Sequence, residues 1–504
     1  MSLEIALPIL LPLGFGAASL AAHRHIALQR WLGVAGTGAL LAAALWLLRS
    51  VGREGIVVMH MGDWHAPFGI TLAADLLGAS MAVLTGLLGL ATAVYSLAST
   101  PIGHERYGHW PLLHLLLAGV TGAFLTGDIF NLYVWFEVML VASFALLTLG
   151  GERAQMEGAI KYVALNLLAS MLFLSAVGIT YGLVGTLNMA DIAAKLGEVD
   201  RPGLVSTLAA MYMVAFGVKA GAFPLFFWLP ASYHTPPVAV SALFAGLLSK
   251  VGVYALYRVF TLIFTQDVAY THEILLWGAG LTMLTGVLGA LAQTEIRRIL
   301  SFQIISSVGF MLMGLALFTP LAIAGGILYT VQDIAVKIAL FLTAGIIFRL
   351  LGSYRLEALG GLYRYRPWLG ILFLIPALSL VGLPPMAGFI GKLTLVRAAL
   401  EEGAWGITFI ALLTGLLTLV SVIRIWQQGF WRGLPNRVAD AALLTGERRD
   451  ATLWLMYLPV AVLAALILAA GVYAQPLFAL SESAAGQLLA PQAYIDAVLG
   501  EGAP

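Results

Sequence analysis

Apolar stretches of about twenty residues recur from one end of this 504-residue chain to the other. That is the length a helix needs to cross a bilayer. Inside hydrocarbon every backbone N–H and C=O must find its partner within the protein, so the options shrink to helices or a closed barrel. Hydrophobic residues make up 61% of the chain and charged ones 10%, and mean hydropathy is +0.96. No soluble domain of this size has that balance. A net charge of +1 argues against a nucleic-acid binder, and the lack of cysteine excludes disulfides, thiolate metal sites and iron–sulfur ligation.

The reading is an all-α polytopic membrane protein with about fourteen spans, at 3–22, 29–49, 70–97, 110–126, 128–150, 157–186, 204–229, 236–262, 272–292, 298–318, 321–351, 368–402, 404–430 and 452–475. The first segment has Glu4 and no basic flank before it, so it is expected to be a retained span rather than a cleaved signal peptide. Arginines set the orientation: fifteen lie in the odd-numbered connectors, against six Arg or Lys in or beside the even-numbered ones. The positive-inside rule then puts the odd connectors in the cytoplasm and both termini outside.

A repeat is visible within this array. GITYGLVGTLNMADI (178–192) aligns with GIIFRLLGSYRLEAL (345–359), and each is followed by a span broken at proline: Pro224 in the first, Pro384 and Pro385 in the second. The repeat is five helices long, and an odd number of crossings inverts the second copy, as in secondary transporters. The expected division is a three-helix segment at 1–105, repeats at 106–265 and 266–432, and a connector, last span and tail at 433–504.

The six lysines sharpen the functional reading. Lys219, Lys250, Lys337 and Lys392 each fall well inside an apolar span, as does Glu137. A charge at that depth costs at least a few kcal/mol and persists mainly where it lines a pathway. Lysine, unlike arginine, can give up its proton when desolvated, so lysines with carboxylate partners are the parts of a proton relay. Asp333 lies one helical turn before Lys337 and shares its face. Lys161, one turn from Glu157, reads as a surface pair; Asp75 and Asp128 read as helix caps. Lys392 has the alternative of reaching outward toward Arg397. His234, in the connector before the eighth span, is a candidate proton collector. The histidines have no metal-ligand spacing, and no phosphate-binding glycine motif occurs.

The segments GDWHAPFGITLAAD, FNLYVWFEVML, VKAGAFPLFFWLPASYHTPPVAVSALFAGLLSKVGVYALYR and VGLPPMAGFIGK resemble the antiporter-like subunits shared by respiratory complex I and Mrp-type cation/proton antiporters. QDIAVKIALFL (332–342) is most similar to the D subunits of the Mrp type. Complex I relatives carry His-x-x-x-His-x-x-x-Lys on this helix, where this chain has Tyr329, Asp333 and Lys337. The resemblance implies proton translocation by Glu137 with Lys219, through Lys250 as connector and Lys337 as central link, to Lys392. It further implies a hetero-oligomeric complex in a bacterial cell membrane, no bound cofactor, and sodium/proton exchange rather than an enzyme. Two other readings compete: a pump subunit of a complex I-like or hydrogenase-like redox enzyme, and a scaffold that transports nothing. Four lysines at mid-depth argue against the scaffold.

Overall fold

The computed structural model describes residues 3–434 and 450–500. It is a helical membrane bundle, as the composition requires. Among the described residues, twelve helices are long and apolar enough to cross a bilayer, and two shorter apolar ones, His109–Leu125 and Pro367–Val381, bring the number to the expected fourteen. Pro367–Val381 is short because its span is broken; the chain resumes as Ala387–Glu401. The other broken span stops at Ala220 and resumes as the short helix Trp228–Ser232. At both breaks a left-handed glycine ends the first half, Gly221 (φ 78°) and Gly382 (φ 90°), a conformation that glycine adopts without steric cost.

The repeat is far clearer in three dimensions than in sequence, and a constant shift of 167 residues relates its parts. Ile129 N donates to Leu187 O (2.9 Å), and Ile296 N donates to Tyr354 O (3.0 Å). Met189 N bonds Gly127 O (2.8 Å) just as Leu356 N bonds Thr294 O (2.9 Å). Gly122 lies under the Trp135 ring as Gly289 lies under Phe302, and Gly119 and Gly286 admit the backbones of Met139 and Ser306. Small residues let membrane helices approach closely where the bilayer offers no hydrophobic drive. The matched helices lie five crossings apart, an odd number, so the two sets run in opposite directions.

Among the described residues, three of the long helices are largely enclosed by the rest. The most apolar stretch of Val238–Leu262 is 100% buried, that of Ile296–Leu317 94% and that of Pro320–Leu351 83%, while the other long helices range downward from 67%; the shorter His109–Leu125 is likewise buried over most of its length. Glycines seat the central helix. A Cβ on Gly252 would collide with the backbone N of Ala220, and one on Gly246 would collide with Ile338 Cδ1. Val238–Leu262 therefore bridges the first break and the Pro320–Leu351 helix.

A hairpin and three helices are absent from the hydropathy pattern. Val57–His60 and Thr71–Ala74 form an antiparallel hairpin, with Val57 opposite Ala74 and His60 opposite Thr71. The 187–203 connector holds the helix Met189–Leu196. Beyond the last span, Ala474–Leu489 and Pro491–Leu499 fold back onto the bundle. Their short lengths and mixed polarity resemble those of connectors, so the periodicity of the spans hides them. Most of the expected 433–451 connector lies outside the described residues.

Candidate functional site: buried lysines between two helix breaks

Lys219 stands in the last turn of Pro202–Ala220, where the helix runs out of amide donors and its final carbonyls face the break. A cation is favoured at this negative end of the helix dipole. Its ammonium is buried, donates to Ser170 Oγ (2.8 Å) and lies 5.3 Å from the centroid of the Phe136 ring. Glu137 is the next residue after Phe136, which brings its carboxyl into the neighbourhood of Lys219. The two are neighbours rather than a contact pair. Glu137 is half-buried, and its Oε1 is buried with no hydrogen-bond partner among the described residues. Nothing in the hydropathy pattern singles out Ser170. The 167-residue shift finds it, because Tyr162, Asn166 and Ser170 occupy the places that Tyr329, Asp333 and Lys337 hold in the second repeat.

Lys250 follows a π-helical turn, Phe244–Leu248, inside the central helix. Such a turn spoils the regular hydrogen-bond ladder and recurs at functional positions. Here the Ala245 carbonyl accepts from Lys250 Nζ (2.8 Å). The same Nζ lies 3.0 Å from Asp333 Oδ2, and Lys337 Nζ lies 3.6 Å from Asp333 Oδ1, with all three side chains fully buried. One carboxylate thus serves two ammoniums. The expected Asp333–Lys337 pair exists but is the looser of the two, since Lys337 extends past its own helix to donate to Gln303 O (2.9 Å). That Lys250 and Asp333 meet across helices is not legible from their 83-residue separation in the chain.

Lys392 lies beyond the second break and folds back onto it. Its Nζ donates to Leu380 O (2.9 Å) and Val381 O (3.0 Å), the free carbonyls before Gly382, and lies 4.6 Å from the Phe310 ring centroid. The alternative of reaching outward is not taken; Arg397 instead pairs with Glu401 at 2.8 Å on the exposed surface. Ser379 Oγ donates to Gln332 Oε1 (3.1 Å) and accepts from Gly388 N (3.1 Å), tying the break to the residue beside Asp333. The fields of Lys337 and Asp333 both reach Lys392. Pro224, Pro384 and Pro385 all lie in the breaks themselves, at 221–227 and 382–386.

The remaining candidates separate cleanly. Lys161 pairs with Glu157 at 2.6 Å on the surface. Asp75 and Asp128 accept from the backbone N of Gly78 (2.8 Å) and Asn131 (2.7 Å) and cap their helices. His234 has Nδ1 2.8 Å from Pro230 O and lines a cleft of about 390 Å³ together with Lys161 and Arg298. Burial, with the field of Arg298 second, pushes its pKa down to about 4. A lowered pKa leaves the imidazole neutral well above that value, so it holds no exchangeable charge near neutrality. Changing His234 to Ala should therefore leave the shape of the exchange-versus-pH profile unchanged above pH of about 6. A profile displaced by half a pH unit or more would give His234 the collecting role.

The described residues contain no group of three or more His, Cys, Asp or Glu placed to hold a metal ion. Residues 126–418 match the family model described as NADH:quinone oxidoreductase/Mrp antiporter, TM. The D-type subunit of the Na(+)/H(+) antiporter of Alkalihalophilus pseudofirmus is 44% identical over 99% of both chains. A chain in the Mrp complex of a Dietzia species superposes with a TM-score of 0.90 at 33% identity, over 99% of this chain and 100% of its own. A chain of a membrane-bound sulfane sulfur reductase, an archaeal respiratory complex, superposes at 0.91 with 26% identity, over 98% of this chain and 99% of its own. With the breaks, the repeats and these full-length likenesses in hand, the chain belongs to the multi-pass membrane subunits of the NADH:quinone oxidoreductase/Mrp antiporter family, among relatives named as D-type antiporter subunits.

Proposed function

We propose that this chain is the proton-carrying membrane subunit of a multi-subunit sodium/proton antiporter in a bacterial cell membrane. The observation that carries the reading is the carboxylate of Asp333, held between Lys250 and Lys337 with all three side chains buried. Two buried ammoniums with one counter-charge repel each other. Whichever one keeps the carboxylate favours release of the proton from the other, because desolvation penalises an unpaired charge. Glu137 and Lys219 form the first half-path, Lys250 connects, Lys337 is the central link, and Lys392 at the second break completes the second half-path. The division into repeats at 106–265 and 266–432 assigns one half-path to each copy. The name of the 44%-identical relative supports sodium as the exchanged cation, and the Mrp complex supports assembly with other membrane subunits.

The intact complex in vesicles should exchange sodium for protons without any electron donor, whereas the purified chain alone should show none. Robust exchange by the lone chain would overturn the need for partners. Exchange that requires an electron donor would favour the second reading, a pump subunit of a respiratory enzyme, to which the likeness to the sulfane sulfur reductase chain lends support.

The orientation puts both termini outside. The chain has no cysteine to remove, so single cysteines at Ala493 and Arg432, both exposed, can be probed on intact cells with an impermeant thiol reagent. Position 493 should label and position 432 should stay silent. The reverse pattern would invert the topology.

A further inference from the structure

The relay does not use the buried pair Arg258–Asp75, whose arginine lies on the same helix face as Lys250. Val238–Leu262 places Lys250, Tyr254 and Arg258 at successive intervals of four residues, about 12 Å from end to end at 1.5 Å per residue. Lys250 and Tyr254 line a small cavity together with Tyr257 and Thr330. Arg258 Nη2 donates to Tyr254 Oη (3.1 Å), which itself donates to Phe124 O (2.7 Å). The same nitrogen lies 2.6 Å from Asp75 Oδ2, with both side chains nearly fully buried. A polar line thus runs from Lys250 toward the face that carries the hairpin.

What buries its end is the C-terminal segment. Gln487 accepts from the backbone N of Leu76 (2.8 Å), directly beside Asp75. The Arg258 guanidinium lies 5.1 Å from the centroid of the Tyr494 ring and 5.4 Å from that of Tyr254. Tyr494 is 3% exposed, and its hydroxyl has no hydrogen-bond partner among the described residues. A buried ion pair adds little to stability over well-packed apolar residues. A fixed arginine in a narrow polar passage, in contrast, is an effective barrier to protons and cations.

We propose that helices Ala474–Leu489 and Pro491–Leu499 seal a proton lane leading outward from Lys250, with Tyr494 as the lid and the Arg258–Asp75 pair as the electrostatic barrier beneath it. The proposal rests on Lys250 as a proton carrier. Opening the lid lets water reach the pair, and protons then pass without sodium exchange.

The test is passive proton leak in vesicles holding the intact complex, with a pH step imposed in the absence of sodium. Tyr494→Ala should raise the leak roughly tenfold, the change that about 1.4 kcal/mol off a barrier produces. Tyr494→Phe, which keeps the ring over Arg258, should stay tight. Gln487→Leu removes a single acceptor and should give a smaller rise in a chain that still assembles. Adding Lys250→Met to a leaky variant should restore tightness. The seal is overturned if Gln487→Leu is tight while Tyr494→Ala is tight or fails to assemble, or if the leak ignores Lys250→Met. Its failure is distinguishable from failure of the relay: exchange that survives Lys219→Ala sinks the relay, whatever the leak shows.

Discussion

Replacing Asp333 with Asn is expected to abolish sodium/proton exchange while leaving the complex assembled. The carboxylate lies 3.0 Å from Lys250 and 3.6 Å from Lys337, and all three side chains are sealed from solvent. Removing one partner of a buried pair typically costs about 3–5 kcal/mol, because it strands the other charge. Here it strands two. Either lysine can shed its proton to relieve that cost, so the helices should stay packed while the exchangeable charge disappears. At about 1.4 kcal/mol per factor of ten, a barrier change of that size lowers the rate roughly a hundredfold or more. Sodium-driven pH changes in vesicles measure it, and membrane yield of the partner subunits controls for assembly. Exchange within a factor of two of the unsubstituted chain would remove Asp333 from the path.

A comparable loss is expected at the first break for Glu137→Gln and Lys219→Ala, though for different reasons. Lys219 rests on Ser170 and near the Phe136 ring rather than on a carboxylate, so Glu137 is the counter-charge nearby. Glu137→Gln removes that counter-charge and should trap Lys219 in its neutral form. Lys219→Ala removes the carrier outright. The double variant should be no worse than either single one, since one relay step is lost in each case; non-additivity of this kind is the mark of groups acting as a unit. Independent, additive losses in the double variant would show that the two residues serve separate functions. Ser170→Ala makes the finer distinction: a lysine that needs only a hydroxyl rest should keep partial exchange there.

Much of this is written in one dimension. Fourteen crossings follow from apolar length alone, since lipid leaves the backbone no other way to satisfy itself. Both helix breaks are legible from proline, and the lysines from their depth in apolar runs. The repeat is visible over only fifteen residues because Gly and Leu carry little information in a chain this apolar. The structure extends it by backbone bonds and glycine contacts, which conserve geometry rather than side-chain identity.

What sequence could not supply is who meets whom across helices. In a membrane bundle every span is apolar on all sides, so periodicity gives no inward face, and nothing marks Val238–Leu262 as the central helix until its neighbours surround it. That Asp333 answers Lys250 more closely than Lys337, that Ser170 rather than Glu137 receives Lys219, and that Lys392 turns back onto its own break all depend on packing. So does the cap of Gln487 and Tyr494 over Asp75 and Arg258, formed by residues more than two hundred positions from the nearer partner. Burial depth is a property of the segment and can be read along the chain; the partner of a buried charge is set by interhelical packing, which only the folded bundle decides.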